Sequence, residues 1–417
     1  MPASSIAAEI PADEIEVSVV IPCLNEEKTI TLCIEKALRA MRDANIRGEV
    51  VVSDNGSTDR SAAVSTAAGA RVVDCPSRGY GAALQYGFES ARGKYCIMGD
   101  ADDSYDFLEL PRFVEKLREG HLFVMGTRLK GTIMPGAMPT LNRYLGTPVL
   151  TFILNRLFAT GITDCNCGMR GIDRATFMKM GVTSTGMEFA SEMIVKAAIF
   201  NVPIVEVAIT LHKDKRDRAP HLRPWRDGWR HLRMLLWHAP DHTMTLPSAI
   251  TMLLGLVLVL SQLGGPIHLG PANFDIHFMI LGLTLSMMGL SGLAMGIAVH
   301  AIMPERKLRK LKLFGSVKEW FTFDRAIITA ALLFAAGFGC DGAVLWHWIA
   351  THRGTLSPEY TRLSLAGSLL MAMGFQIALL GLLVGAGRSA MAERTVPRPS
   401  NLPVGDVEVE SKQLFGG

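Results

Sequence analysis

The chain is short of charge, of paired cysteines and of an export signal, and each shortage argues against a class of protein. Charged residues make up 19% of its 417 residues and the net charge is +3, so the composition indicates no nucleic-acid partner. The seven cysteines are an odd number at scattered positions, which excludes a disulfide framework and suits a reducing compartment. Cys165 and Cys167 could be half of a zinc site, but no second pair with zinc spacing follows.

The N-terminal residues lack the basic segment and apolar stretch of a signal peptide, so residues 1–15, which are small, polar and acidic, are predicted to be a disordered leader. Apolar residues are concentrated in the last third of the chain, where four stretches reach the roughly 20 residues that cross about 30 Å of hydrocarbon. They cover residues 245–264, 276–302, 325–350 and 360–387. We therefore expect an all-α transmembrane region of four helices over 241–390. The alternative is buried helices of a large soluble domain.

The charge of the loops between these stretches predicts their orientation. The 303–325 loop contains seven lysines and arginines, the 265–275 loop contains none, and the 351–359 loop contains one. Because basic loops stay on the cytoplasmic side, the 303–325 loop is predicted to be cytoplasmic. An even number of spans then places the N-terminal domain and the 391–417 tail in the cytoplasm, and the protein in the inner (plasma) membrane.

The first 110 residues alternate between strand and helix patterns. Apolar strand runs occupy residues 17–21, 49–53, 71–74 and 94–99, and helical spacing connects them. Such alternation predicts an α/β domain with a mainly parallel, Rossmann-like sheet. Ligands of such sheets bind beyond the carboxyl ends of the strands, where polar motifs follow here.

The sequence predicts an amphipathic helix over residues 223–240, between the α/β domain and the transmembrane region. One face carries Trp225, Trp229, Leu232 and Leu236, and other faces carry Arg226, Arg230 and Arg233. This pattern is typical of a helix that lies on an anionic membrane surface. The alternative is an amphipathic helix that packs on the catalytic domain.

Two carboxylates, Asp100 and Asp102, follow the fourth strand and lie only two residues apart. They repel each other unless a cation lies between them, and Mg²⁺ prefers one or two carboxylates together with phosphate oxygens. Such a metal would neutralise charge on a departing nucleoside diphosphate. A plain acidic loop is the alternative.

Two further polar stretches follow earlier strands. Asp54, in the stretch DNGSTD (54–59), could accept hydrogen bonds from a base or ribose, or could form only a turn and N-cap. Arg78, in RGYGA (78–82), opens a helix whose free amides could face an anion, while its glycines could equally serve close packing.

Together these motifs resemble family 2 glycosyltransferases. PCLNEE (22–27), DNGSTD (54–59), RGYGAA (78–83) and GDAD (99–102) occur in the order and spacing of that family. The resemblance covers residues 16–222 and is to the polyprenyl-phosphate hexose synthase branch, similar to dolichol-phosphate mannosyl- or glucosyltransferases. It implies a GT-A fold, a divalent metal (Mg²⁺ or Mn²⁺) and inverting transfer.

The resemblance also implies roles for individual residues. The expected donor-binding residues are Pro22, Asn25, Glu26, Asp54, Arg78, Asp100 and Ala101. Asp100 and Asp102 are the expected metal ligands. The GTR stretch (126–128) implies that Arg128 contacts phosphate, and DCNCGMR (164–170) implies that Arg170 lies near the acceptor. Asp102, Arg128 and Arg170 are the expected catalytic residues.

A phosphate acceptor needs positive charge rather than a general base, because a phosphate monoester is already largely a dianion at pH 7. Glu188 and Glu192 share one helical face. They are either a pair of general bases or part of a solvated helix surface. The expected acceptor-phosphate residues are Arg128, Lys215, Arg216 and Arg218. The alternative for the last three is a solvated charge run.

The sequence thus predicts transfer of one hexose, glucose or mannose, from a UDP- or GDP-hexose to a polyprenyl phosphate in the membrane. One alternative is a processive polysaccharide synthase, although no glutamine completes a Q-x-x-R-W motif at residues 223–225. The other is a non-catalytic scaffold that binds nucleotide sugar. The spans could anchor the enzyme, assemble a homo-oligomer or deliver lipid, and the small residues of the second span favour close helix contacts.

Overall fold

The computed structural model describes residues 15–215, 224–269, 272–302 and 322–395. The described chain forms two compact units, one ending at Thr243 and the other beginning at Met244. Several predictions lie outside the described residues: the leader before residue 15, Arg216 and Arg218, most of the basic 303–325 loop, and the tail beyond residue 395.

The described part of the first unit contains a seven-stranded sheet in the order β3-β2-β1-β4-β6-β5-β7. The strands are β1 (Val17–Cys23), β2 (Gly48–Asp54), β3 (Arg71–Asp74), β4 (Tyr95–Met98), β5 (Phe123–Ile133), β6 (Arg170–Asp173) and β7 (Ile204–Leu211). β6 runs antiparallel between β4 and β5, while the other neighbours are parallel. The predicted GT-A fold with a mainly parallel sheet is confirmed.

Helices cover both faces of this sheet. They are α1 (Ile30–Asp43), α2 (Ser61–Ala67), α3 (Tyr80–Ser90), α4 (Leu110–Arg118), α5 (Thr147–Phe158), α6 (Arg174–Met180), α7 (Phe189–Ile199) and α8 (Pro224–His238). Since successive strand side chains point to opposite faces, Val19 packs in the core beneath α1 and α4, and Val20 packs in the core beneath α3 and α7. The central strands are therefore apolar on both sides.

The parallel register brings the polar strand ends to one edge of the sheet. Cys23 at the end of β1 pairs with Asp54 at the end of β2, and Val20 of β1 pairs with Met98 of β4. Residues that follow β1, β2 and β4 in the sequence consequently meet at the same edge, where ligands of parallel sheets bind.

The second unit contains four long helices in its described part: α9 (Leu246–Gln262), α10 (Ile276–Ile302), α11 (Phe323–Ala350) and α12 (Pro358–Thr395). Each is long and apolar enough to cross a membrane, over Asp241–Gln262, Ile276–Val299, Phe323–Ala350 and Pro358–Ala386. The predicted four-helix transmembrane region is confirmed.

Close contact between α9 and α10 depends on the glycines of the second span. A Cβ on Gly289 would overlap Met252, and one on Gly292 would overlap Ser248. Small residues therefore let the two helix backbones approach each other, as the composition of this span predicts.

Candidate active site

A cleft of about 620 Å³ opens at the polar edge of the sheet. Among the described residues, those predicted as site residues that line it are Pro22, Glu26, Arg78, Asp100, Ala101, Asp102 and Arg128. Four other predicted residues, namely Asn25, Asp54, Arg170 and Lys215, lie outside its lining. Its volume is in the usual range for a small-molecule site.

The loops after β1 and β2 are joined by side-chain hydrogen bonds. Asn25 Oδ1 accepts from the Thr58 amide at 2.7 Å, and the Asn25 amide donates to Ser57 Oγ at 2.9 Å. The Glu26 amide donates to Ser61 Oγ at 2.7 Å. Asn25 has a φ of 58°, a conformation that asparagine tolerates better than most residues. Asn25 therefore shapes the cleft from behind its wall, while Glu26 lines it.

Asp54 orders the turn that follows β2. Its Oδ2 accepts hydrogen bonds from the amides of Gly56 and Ser57 at 3.1 and 2.9 Å. Its Oδ1 is buried and has no hydrogen-bond partner. The turn interpretation is thus correct for one oxygen, and the second oxygen is buried outside the cleft lining.

The glycine-rich stretch before α3 serves close packing. Gly79 has a φ of 139°, and a Cβ there would overlap the Thr185 backbone, so only glycine fits. Arg78 Nη1 donates to the carbonyls of Asn55 and Gly56 at 2.7 and 3.0 Å. The arginine therefore ties the β2 turn to the start of α3 and also lines the cleft.

Asp100 and Asp102 both line the cleft, and each is oriented by a neighbour. The Tyr80 hydroxyl donates to Asp100 Oδ1 at 2.9 Å, and the Ser104 hydroxyl donates to Asp102 Oδ1 at 2.6 Å. Burial, followed by the Asp100 charge, raises the pKa of Tyr80 well above its usual range, so the phenol keeps its proton and donates. The two carboxylates are therefore held as acceptors on one wall.

The third acidic residue of this loop has a different role. Asp103 is buried, and its two oxygens each lie 2.7 Å from a lysine, Lys36 and Lys215. Lys215 is a predicted acceptor-phosphate residue, but here its ammonium group neutralises Asp103. Lys215 is further tied to the aspartate loop, since its amide also donates to the Asp102 carbonyl.

Arg128 extends from β5 into the cleft wall and is held by a buried carboxylate. Asp164 accepts from Arg128 Nε at 2.7 Å and from Nη2 at 2.8 Å, and it is fully buried. This two-pronged pair fixes the guanidinium plane, which is how arginine acquires directional phosphate-binding geometry.

Arg170 lies apart from the cleft, in contrast to the role at the acceptor that the resemblance implies. Its guanidinium is fully buried and donates to the carbonyls of Cys165, Cys167 and Ala190. Burial lowers its pKa. Because its donors are directed at backbone oxygens, Arg170 holds the loop that precedes β6 instead of facing a substrate.

Glu192 is neither solvated nor in the cleft. It is buried and accepts hydrogen bonds from the amides of Thr183 and Ser184 at 3.1 and 2.7 Å. The solvated-surface interpretation is therefore wrong for Glu192. Glu188, at the N-terminus of α7, is partly buried.

Five of the seven cysteines are buried. All seven are free, and burial raises the pKa of Cys23, which lines the cleft, to about 11. Burial also raises the pKa of Cys165 to about 11 and that of Cys167 to about 12. Within the described ranges no group of three or more His, Cys, Asp or Glu side chains forms a metal cage.

The charged cleft residues that sequence reasoning missed belong to α8. Arg226, Asp227 and Arg230 line the same cleft as Asp100 and Arg128. The sequence shows these charges on an amphipathic helix, but the pattern alone assigns them to a membrane surface. The buried face of α8 packs on the catalytic unit through Met234 and Leu235, as the alternative interpretation of this helix predicts.

Comparison with known proteins identifies the family. The model of glycosyl transferase family 2 matches residues 18–181, and that of the glycosyltransferase family 2 C-terminal transmembrane region matches residues 301–387. The low-salt glycan biosynthesis hexosyltransferase Agl6 of Haloferax volcanii is 38% identical over 340 residues, which cover 80% of each chain. The chain belongs to glycosyltransferase family 2. It is a glycosyltransferase with a C-terminal transmembrane region, as predicted.

Two further proteins are similar to about half of this chain. A dolichyl-phosphate beta-glucosyltransferase of Dictyostelium discoideum is 28% identical over 220 residues, which cover 48% of this chain and 67% of the relative. A glucosyl-3-phosphoglycerate synthase of Mycobacterium tuberculosis, solved with Mn²⁺, uridine diphosphate and product, is 22% identical. It covers 54% of this chain and 78% of its own, with a TM-score of 0.41.

Proposed function

We propose that this glycosyltransferase transfers one hexose, with inversion, from a UDP- or GDP-hexose to a polyprenyl phosphate. The observation that carries the proposal is a single cleft lined by Asp100, Asp102 and Arg128, in a chain that continues into four membrane-spanning helices. The names of two relatives, a hexosyltransferase and a dolichyl-phosphate glucosyltransferase, support the same chemistry.

The nucleotide is expected at the end of the cleft formed by β1 and β2. Pro22 and Glu26 line this end, and Arg78 adds positive charge there. Asp54 lies outside the lining and shapes this end of the cleft through the turn that it holds after β2.

Asp100 and Asp102 are the residues that would hold a divalent metal. Their donor set consists of carboxylate oxygens, which suits Mg²⁺ or Mn²⁺, and Tyr80 and Ser104 orient one oxygen of each. A bound divalent cation supplies charge neutralisation for the departing nucleoside diphosphate. Asp103, with its two oxygens paired to lysines, keeps the loop in place.

The proposed reaction is a single displacement at the anomeric carbon. An oxygen of the acceptor phosphate forms the new bond to this carbon as the bond to the nucleoside diphosphate breaks from the opposite side, which inverts the centre. The acceptor is already a dianion, so no side chain has to remove a proton. Arg128, fixed by Asp164, orients phosphate oxygens near the reacting carbon, and Arg170 positions the loop that carries Cys165 and Cys167.

The membrane placement is part of the proposal. The excess of lysine and arginine in residues 303–325 favours a cytoplasmic catalytic unit at the inner (plasma) membrane, where nucleotide sugars are available. Reporter fusions at the C-terminus and within residues 265–275 test it. A cytoplasmic reporter that works at the C-terminus but fails at the 265–275 loop supports this orientation, and the reverse contradicts it.

A donor panel tests the reaction itself. Full-length protein in membranes is given labelled UDP- and GDP-hexoses with undecaprenyl phosphate, and label in the organic phase is measured. One donor should transfer a single sugar per lipid. A long sugar chain would instead indicate a processive synthase, and the absence of transfer or hydrolysis with every donor would indicate a scaffold.

Substitution of the proposed metal ligand tests the mechanism. Asp102→Asn should lower transfer about a hundredfold or more, because the amide cannot supply the ligand charge that a metal needs. Asp43→Asn is the matched control, since the Asp43 side chain is 68% exposed on α1. Near-normal transfer by Asp102→Asn with metal present would contradict the proposed mechanism.

A further inference from the structure

The first turns of α8 form part of the wall of the proposed catalytic cleft. Arg226, Asp227 and Arg230 line the cavity that also contains Asp102 and Arg128. The other residues that line it come from β1, α3, β5 and the loops at the sheet edge. α8 thus adds charged groups that none of the strand-end motifs provides.

α8 is held firmly against the catalytic unit. Its buried face includes Met234 and Leu235, which join the core beneath α5 and α7. On the same face His231 Nδ1 lies 2.7 Å from Ser191 Oγ, and both side chains are buried. A helix fixed by core packing and by a buried hydrogen bond presents its side chains in defined positions.

Asp227 organises the two arginines. Its side chain is 2% exposed, and its Oδ1 lies 3.3 Å from Arg226 Nε and 4.0 Å from Arg230 Nη1. The two arginine side chains are 51% and 41% exposed. A guanidinium has five N–H donors, and one carboxylate cannot occupy those of two arginines. The pair therefore retains donors and positive charge that can face the cleft.

Apart from Arg78, which donates to the carbonyls of Asn55 and Gly56, the other cations near the aspartate loop are balanced by carboxylates. Arg128 is paired in two-pronged fashion with Asp164, and Lys36 and Lys215 together face Asp103 and Asp106. The net charge of these paired groups is therefore close to zero. An incoming phosphate dianion opposite a diphosphate needs an excess of positive charge, and the α8 arginines, two cations that share Asp227, provide it.

The position of α8 in the chain favours the acceptor over the donor. It ends at His238, and the first candidate membrane span begins at Asp241. Arg230 precedes that span by 11 residues in the sequence. Trp229 and Trp237 are exposed on the same helix, as is common at membrane interfaces. A lipid phosphate enters from that side, whereas a nucleotide sugar comes from water.

We propose that Arg226 and Arg230, positioned by Asp227, bind the phosphate of the lipid acceptor. This inference rests on the proposed function and names a subsite that the strand-end motifs do not contain. Arginine suits the role because its planar guanidinium can bind two phosphate oxygens at once.

The test separates acceptor binding from donor binding. Full-length wild type and the double variant Arg226→Gln/Arg230→Gln are assayed with undecaprenyl phosphate and the active nucleotide sugar. We expect the KM for the lipid phosphate to rise roughly tenfold or more, because charge-assisted hydrogen bonds are lost, while the KM for the nucleotide sugar changes little. An unchanged lipid KM, or an equal rise in both, would overturn the inference.

Two further variants distinguish binding from damage to the helix. Arg233→Gln is the matched control on α8, because Arg233 lies over the Trp237 ring at 4.8 Å and is not part of this cleft's lining. It should leave both KM values nearly unchanged. Arg226→Lys/Arg230→Lys keeps the charge and should recover part of the lipid affinity. No recovery, together with a lower melting temperature, would indicate that the arginines serve the fold alone.

A direct binding measurement separates this inference from the proposed function. Binding of citronellyl phosphate, a short and soluble polyprenyl phosphate, is measured by calorimetry for wild type and the double Gln variant. If wild type neither binds it nor transfers sugar to undecaprenyl phosphate, the proposed function and the inference both fail. If wild type transfers sugar and the double Gln variant binds as tightly as wild type, only the inference fails.

Discussion

The two units of the chain treat large apolar side chains in opposite ways. In the catalytic unit Val19, Phe88 and Ile97 are fully buried between helices and sheet. In the four-helix unit Leu332 is 67% exposed and Phe338 is 68% exposed. The same side-chain chemistry therefore lies inside one unit and outside the other, which teaches that the units are built for different solvents.

Polar groups differ between the units in the same sense. The catalytic unit buries charges in ion pairs, such as Arg128 with Asp164, or against backbone groups, as for Arg170. In the spans, Gln376 Nε2 donates to Ser291 Oγ at 2.9 Å, and glycines allow the helices to approach. Hydrocarbon cannot drive helices together by the hydrophobic effect, so backbone proximity and a few hydrogen bonds must do so.

The largest expected effect concerns burial of charge in the catalytic unit. Asp164→Asn removes the counter-charge of Arg128 and should lower the free energy of unfolding by about 3–5 kcal/mol. The measurement is thermal unfolding of the full-length protein in detergent, followed by intrinsic fluorescence.

Glu16→Gln is the matched control for that change. Both carboxylate oxygens of Glu16 accept hydrogen bonds from Arg118 at 2.7 Å, the same two-pronged geometry as in the buried pair. The Arg118 side chain, however, is 47% exposed. Loss of this exposed pair should lower the free energy of unfolding by less than about 1 kcal/mol. Equal losses in both variants would show that geometry, and not burial, determines the strength of these pairs.

A second prediction compares exposed leucines in the two units. Leu332→Lys places a charge on an exposed surface that is expected to face lipid. It should make the free energy of membrane insertion of α11 less favourable by about 3 kcal/mol. Leu108→Lys, at a position 41% exposed in the catalytic unit, should change stability by less than about 0.5 kcal/mol. Retention in membranes after alkaline carbonate extraction measures both. If Leu332→Lys were retained as well as Leu108→Lys, the lipid-facing assignment of α11 would be incorrect.

The smallest expected effect is a pH dependence of α8 docking. Burial lowers the pKa of His231, against the opposing effects of Glu188 and Asp227, so the ring is neutral when folded. The unfolded chain takes up this proton below about pH 6.5, and the free energy of unfolding therefore falls as the pH drops through and below that value. The melting temperature at pH 7.5 and 5.5 measures the loss.

His231→Asn removes the titrating group and should reduce this pH-dependent loss. His121→Asn is the control, because the His121 side chain is 39% exposed on the same unit. Wild type and His121→Asn should lose melting temperature in parallel on acidification, and His231→Asn should lose less. Equal losses in all three would mean that His231 does not couple α8 docking to pH.

Much of the catalytic unit could be predicted because its signals are local. The four leading strands lie within about two residues of their predicted bounds, since apolar runs and turn residues mark them. Asp100 and Asp102 reach the cleft because residues after parallel strands must meet at one edge. The antiparallel β6 between β4 and β5 has no comparable local signal, since its neighbours are chosen by pairing across the chain.

Side-chain roles were harder to predict than strand positions. A basic residue in a motif can line the cleft, as Arg128 does, or donate its N–H groups to buried carbonyls, as Arg170 does. The two cannot be told apart from residue type or spacing. Glu192 likewise has the residue type and spacing of an exposed helix position. In the structure it is buried and accepts a hydrogen bond from the Ser184 amide.

The sequence by itself determined that one unit is built for water and the other for lipid. It also determined the four spans, the alternation of strands and helices, and the aspartate pair. Composition and periodicity carry this information because they are properties of the chain alone. Only the tertiary structure decided that α8 lines the cleft and that Lys215 is paired with Asp103. The physical reason is that pairing of charges and packing of a helix depend on residues far apart in sequence. Their energies are settled only when the fold brings those residues within contact distance.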